Sequence, residues 1–161
     1  MNHYEPAPDL LRDRIVLVTG VADTIGRSVA IACARHGATV ILSDLKESDL
    51  EPAYDAIEAE GYPEPAILTL DLEQCREPEF VAAADTLGGE FGRLDGLVHC
   101  AAFAPFLSRV DDYDPAEWDR VLRINLTAPF LLSQACLPLL RAAEDPSVIF
   151  TADRVGRRGR R

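Results

Sequence analysis

The chain has 161 residues, of which 48% are hydrophobic and 27% charged, with 16 basic against 27 acidic side chains and a net charge of −11. That is the length of one domain and the composition of a folded one, able to bury roughly 70% of the surface its unfolded chain exposes. No apolar run reaches the ~18–20 residues of a membrane helix, and residues 1–153 carry a net −16 that repels nucleic acid and anionic membrane surfaces.

Residues 14–19 (RIVLVT) are apolar and β-branched, the pattern of a strand buried on both faces. Residues 24–36 follow with helical spacing and stop at Gly37. A second buried strand is predicted at 38–43, a helix at about 48–60 closed by Gly61, a third strand at 66–70 and a helix at about 77–91. A fourth strand at 94–100 precedes a loop with Pro105, a long helix at about 115–141 and a fifth strand at 147–151. Strands alternating with crossover helices specify an α/β fold, a mostly parallel sheet covered by helices on both faces. No repeat or linker divides the chain, so residues 1–161 read as a single domain.

Cys33, Cys75, Cys100 and Cys136 show no CxxC spacing, and the three histidines make no HxxxH or HExxH pattern. No metal site or disulfide framework is therefore expected. Isolated thiols fit a reducing cytoplasm. The N-terminus agrees, since it has acids and prolines where a signal peptide has a basic start and an apolar block.

The first strand runs straight into TGVADTIG (19–26) and then a helix. Gly20 permits a tight turn, and Gly26 at the helix start lets a pyrophosphate approach the N-terminal N–H groups and the positive end of the helix dipole. The plainer reading of these glycines is a tight turn alone. Asp44 ends the second strand, 18 residues beyond Gly26, where an acid accepts hydrogen bonds from adenosine ribose hydroxyls. Its charge also repels a 2′-phosphate, which favours NAD over NADP. The plainer reading of Asp44 is a solvated cap for the next helix.

With these residues in place the chain resembles the short-chain dehydrogenase/reductase family from about residue 10 to 161. TGVADTIG resembles the family's TGxxxGxG, with Thr24 in place of the middle glycine. The resemblance puts Gly20, Ala22, Thr24, Ile25 and Gly26 around the cofactor, and makes Asp71-Leu72 the acid–hydrophobe pair that contacts adenine. His99-Cys100-Ala101-Ala102 stands at the family's NNAG motif, which adds Cys100, Ala101 and Ala102 to the cofactor set. It also implies a doubly wound, Rossmann-like sheet of five strands in the order 3-2-1-4-5, a nicotinamide dinucleotide as cofactor, and hydride transfer to or from an alcohol or ketone.

Family chemistry uses a serine, a tyrosine and a lysine four residues after the tyrosine, whose ammonium lowers the tyrosine pKa. The four tyrosines are followed at that spacing by Pro8, Glu58, Ala66 and Glu117, and the only lysine is Lys46. Asp153 stands at the serine position, with Thr151 a weak substitute nearby. Asn125 matches the family's active-site asparagine, whose main-chain carbonyl holds a water. Independently, Pro129 has no N–H to offer that carbonyl and bends the helix. An ordinary proline kink is the plainer account. The arginine-rich stretch at 154–161 resembles the family's loop after strand five rather than a nucleic-acid tail.

The resemblance implies further strands and helices beyond residue 161. The chain therefore reads as the family's cofactor-binding part, inactive alone. The alternatives are a non-catalytic nucleotide-binding or interaction module and a truncated gene product. Self-association is expected through helix 115–141, with Val121, Leu122, Leu126, Phe130 and Leu137 as its apolar stripe, and through the open edge of strand five.

Overall fold

The computed structural model describes residues 6–105 and 109–152. Five parallel strands, β1 (Ile15–Thr19), β2 (Thr39–Asp44), β3 (Ala66–Thr69), β4 (Gly96–His99) and β5 (Ser147–Phe150), form one sheet in the order β3-β2-β1-β4-β5. This is the order that the family resemblance implies. Helices α1 (Thr24–Arg35), α2 (Glu51–Ala59), α3 (Glu77–Phe91), α4 (Pro115–Leu122) and α5 (Ala128–Arg141) supply the crossovers. Among the described residues no helix is long and apolar enough to cross a membrane, and no cluster of histidine, cysteine or carboxylate side chains is placed to hold a metal ion.

Side-chain alternation along the central strands builds two cores. Val16, Val18, Val40 and Leu42 face α1 and α2, where Ala30, Ala34, Ala53 and Ile57 receive them. Leu17, Ile41 and Leu97 face the other way, onto Phe80 and Leu87 of α3 and Leu132, Cys136 and Leu140 of α5. Each large side chain fully buried here contributes roughly 1.5–3 kcal/mol. All four cysteines are free, and burial pushes the Cys136 thiol up to about 11.

The long helix predicted at 115–141 is not continuous. Between α4 and α5 the backbone opens into a π turn at Arg123–Thr127, closed by the Ala128 N–H on the Arg123 carbonyl. Pro129 explains the change. It offers no N–H, and its ring would crowd the carbonyl four residues back, that of Asn125. A wider turn relieves both conflicts, and such turns recur at functional sites.

At the opposite end of the sheet Asp95, just ahead of β4, ties three strands together. Its carboxylate accepts from the Ile15 N–H at 2.9 Å, Arg14 Nη1 at 3.0 Å and Arg93 Nε at 3.0 Å. Its main chain donates to the Ile15 carbonyl and accepts from the Ser147 N–H. Burial alone would raise the carboxyl pKa, but the Ile15 N–H and the two guanidiniums outweigh it and hold the group below the usual carboxylate range.

Candidate cofactor site at the carboxyl ends of the strands

β1 leaves the sheet at Thr19 and turns through Gly20, whose φ is +76°. A Cβ on Gly20 would lie 2.3 Å from the Ala101 nitrogen, so the turn rests directly on the main chain that follows β4. Gly26 answers a different need. Its Cβ would lie 2.1 Å from the Gly20 carbonyl oxygen, so its bare α-carbon lets the turn sit down on α1. The sequence expects this glycine to admit a pyrophosphate; in the structure the Gly20 carbonyl fills the space a side chain would take.

The amino end of α1 also carries a carboxylate. Asp23 caps the helix, its Oδ1 accepting from the Thr24 N–H at 2.6 Å. Thr24 and Ile25 are exposed on the first turn, and Ile25 is 62% exposed. Asp44 holds the turn from the other side, accepting from the Ala22 N–H at 2.9 Å and the Leu45 N–H at 2.8 Å. Asp71 shapes the loop after β3 by accepting from the N–H groups of Glu73 and Gln74 at 2.9 and 3.0 Å.

These loops surround a cavity of about 260 Å³. Of the residues expected around the cofactor, Gly20, Ala22, Asp44, Asp71, Leu72, Ala101 and Ala102 line it. Thr24, Ile25, Gly26 and Cys100 do not; Cys100 is buried in the core on the α1 and α2 face. Sequence reasoning missed a wall built by Phe103, Glu73, Arg120 and Ile124. Arg120 Nε donates to Glu73 Oε2 at 2.9 Å, and its guanidinium carbon stands 4.1 Å over the centre of the Phe103 ring. Arg120 and Ile124 are four residues apart and so share a helix face, the one signal the sequence offered.

Asn125 lies beside this wall rather than in it. Its Oδ1 accepts from the Phe103 N–H and its Nδ2 donates to the Phe103 carbonyl, each at 2.7 Å, a two-bond clasp of the loop after β4. Asp153 and the arginine-rich stretch at 154–161 lie outside the described residues. The Thr151 hydroxyl donates to the His99 carbonyl at 3.0 Å, and so is already engaged. His99 itself is 4% exposed, shares a 2.9 Å hydrogen bond between Nε2 and Ser133 Oγ, and stacks on Phe150 at 4.7 Å. Burial drives its pKa down to about 4, so the ring is neutral at pH 7.

The lining fits an adenosine. Asp44 and Asp71 supply acceptors with lone pairs beyond those used by the backbone, and Leu45, Leu70, Leu72 and Ile124 add apolar surface to the same cavity. It fits a pyrophosphate less well, because the Asp23 carboxylate already sits at the positive end of α1.

A family model described as short chain dehydrogenase matches residues 14–161. The Escherichia coli K12 oxidoreductase YciK is 40% identical over 158 residues, a match covering 98% of this chain and 63% of that protein. A short chain dehydrogenase structure from Pseudomonas syringae superposes with a TM-score of 0.95 at 39% identity, over 99% of this chain and 66% of that one. Another, from Shigella flexneri 2a in complex with NADP, superposes with a TM-score of 0.92 at 40% identity, over 96% of this chain and 64% of that one. The chain thus spans just under two thirds of the length of these relatives.

Proposed function

The chain belongs to the short chain dehydrogenase family, and from that premise we propose that its cavity binds the adenosine end of a nicotinamide dinucleotide for an oxidoreductase reaction. One observation carries the reading: the glycine turn, Asp44, Asp71-Leu72 and Ala101-Ala102, expected separately to touch one cofactor, line the same cavity. Asp44 would accept from the ribose hydroxyls, Leu72 would cover one side of the base, and Gly20 would let the main chain approach closely. When bound, the nicotinamide supplies or accepts a hydride. Four free cysteines fit a reducing compartment such as the cytoplasm.

The form of the dinucleotide divides the arguments. The Asp44 charge supports NAD(H), while the NADP held by the Shigella relative weighs against that preference. Paired fluorescence titrations with NADH and NADPH test both points. Saturable binding of either one supports the reading, and binding of neither overturns it.

By themselves, residues 1–161 read as a nucleotide-binding part without the proton donor of the reaction. These 161 residues contain no Tyr-x-x-x-Lys pair, and the Thr151 hydroxyl is spent on His99. A positioned proton donor typically contributes ~10²–10⁴-fold. The 161 residues alone should therefore consume no NADH against a panel of ketones; turnover that follows the protein through two purifications and disappears on Asn125→Ala would refute this.

We also propose that a second copy covers the exposed Leu122, Leu126, Phe130 and Leu137. A monomer by light scattering at micromolar concentration would refute it.

A further inference from the structure

Among the described residues, Arg120 is the one cation lining the cavity, where four carboxylates (Asp23, Asp44, Asp71 and Glu73) also stand. It is tied on two sides. Glu73 takes its Nε–H, and its guanidinium carbon stands 4.1 Å over the centre of the Phe103 ring. Both partners are themselves held. Arg123 Nε donates to the Glu73 carbonyl at 3.3 Å, and Asn125 clasps the main chain of Phe103. The side chain is still 41% exposed and borders the cavity, next to Ile124 on the same helix face.

A planar group fixed in this way is a stacking surface. The guanidinium carbon stands over the Phe103 ring, and Arg120 lines the same cavity as Leu45, Leu72 and Ile124. A flat, electron-rich heterocycle is the ligand that matches such a wall, because a planar guanidinium stacks flat on a base while an ammonium offers only a point charge. The pair with Glu73 leaves Arg120 compensated, which suits a neutral base better than a phosphate. Resting on the dinucleotide reading above, we propose that Arg120, braced by Glu73 and Phe103, forms the stacking wall for adenine and sets the affinity for the adenosine half of the cofactor.

The test separates the two halves of the ligand. Wild type, Arg120→Lys and Arg120→Ala are titrated with NADH, AMP and nicotinamide mononucleotide. Both variants should bind NADH and AMP roughly ten-fold more weakly, the lysine variant failing despite its retained charge, while any binding of nicotinamide mononucleotide is unchanged. In wild-type protein the Arg120 Nε–H resonance should shift with AMP through the ring current of the base, and stay in place with nicotinamide mononucleotide. That measurement stands even if a variant fails to fold.

Variants that bind AMP like wild type, or a resonance indifferent to AMP, would overturn the inference and leave the dinucleotide reading intact. Equal weakening for nicotinamide mononucleotide, or rescue by lysine, would also overturn it. Wild-type protein that binds neither NADH nor AMP would remove the cofactor reading itself and this inference with it.

Discussion

The two ends of the sheet solve opposite problems. At the amino ends of the strands Asp95 is buried with every bond made, receiving one N–H and two guanidiniums while its main chain joins β1 and β5. At the carboxyl ends the backbone opens into a cavity bordered, among the described residues, by four carboxylates and one cation. Among the described residues, the buried side-chain nitrogens without a partner are Arg27 Nε, His99 Nδ1 and Arg123 Nη2, all on segments around that open end. One end of the sheet holds the fold together, and the other holds groups in reserve.

Removing Asp95 attacks the closed end. Asp95→Ala should cost about 2–4 kcal/mol of stability by denaturant unfolding, because it frees a buried N–H and unpairs two guanidiniums that are still partly wet. Dinucleotide affinity of the folded fraction should be unchanged; an equal loss in affinity would mean the two ends are not separable. Since the folded carboxyl pKa is lowered, this contribution is full above the unfolded pKa and fades as pH falls through the lower folded one.

Acid should attack the open end first. The unfolded chain protonates a histidine near pH 6.5, whereas the folded one keeps His99 neutral down to about 4. Stability from this ring is therefore full above pH 6.5 and lost progressively between 6.5 and 4, by up to about 3 kcal/mol. His99→Asn, which keeps a partner for Ser133, should flatten the fall in stability between pH 6.5 and 4. An unchanged acid limb in urea titrations would place the acid sensitivity elsewhere.

Charge at the open end should tune binding by smaller factors. Asp44→Ala should raise the affinity for NADPH relative to NADH by roughly ten-fold, since it removes the group that would repel a 2′-phosphate. Asp23→Ser keeps an N-cap oxygen but removes the carboxylate, and should tighten both dinucleotides by roughly three- to five-fold. No gain would show that the amino end of α1 does not face the pyrophosphate.

Most of the fold is legible because local signals and burial agree. Val16, Leu17 and Val18 are apolar on both faces and lie in the sheet centre, and α3 begins and ends as predicted, with Pro78 in its first turn and Gly92 after its last. The π turn is legible only in part. Pro129 announces a missing N–H, but a kink and a widened turn share that sign. The cavity follows the same division. Gly20, Ala22, Asp44, Asp71 and Leu72 are local to turns that end strands, and turn chemistry finds them. Arg120 meets Glu73 across 47 residues of sequence, and no local pattern announces a pairing of that range. Asp23 is legible in principle, since an acid just before a helix is a common cap.

The contact between Gly20 and Ala101 has no side chain on the turn's side of it. A residue-by-residue search for altered cofactor choice therefore has nothing to vary there: every larger residue at position 20 meets main chain, and no compensating substitution at 101 can move a backbone nitrogen aside. Adaptability is pushed outward, to the rim. A directed library spread over Asp23, Asp44 and Arg120 would sample cofactor preference without touching the contact between the two loops. One that includes Gly20 would spend those members on unfolded protein.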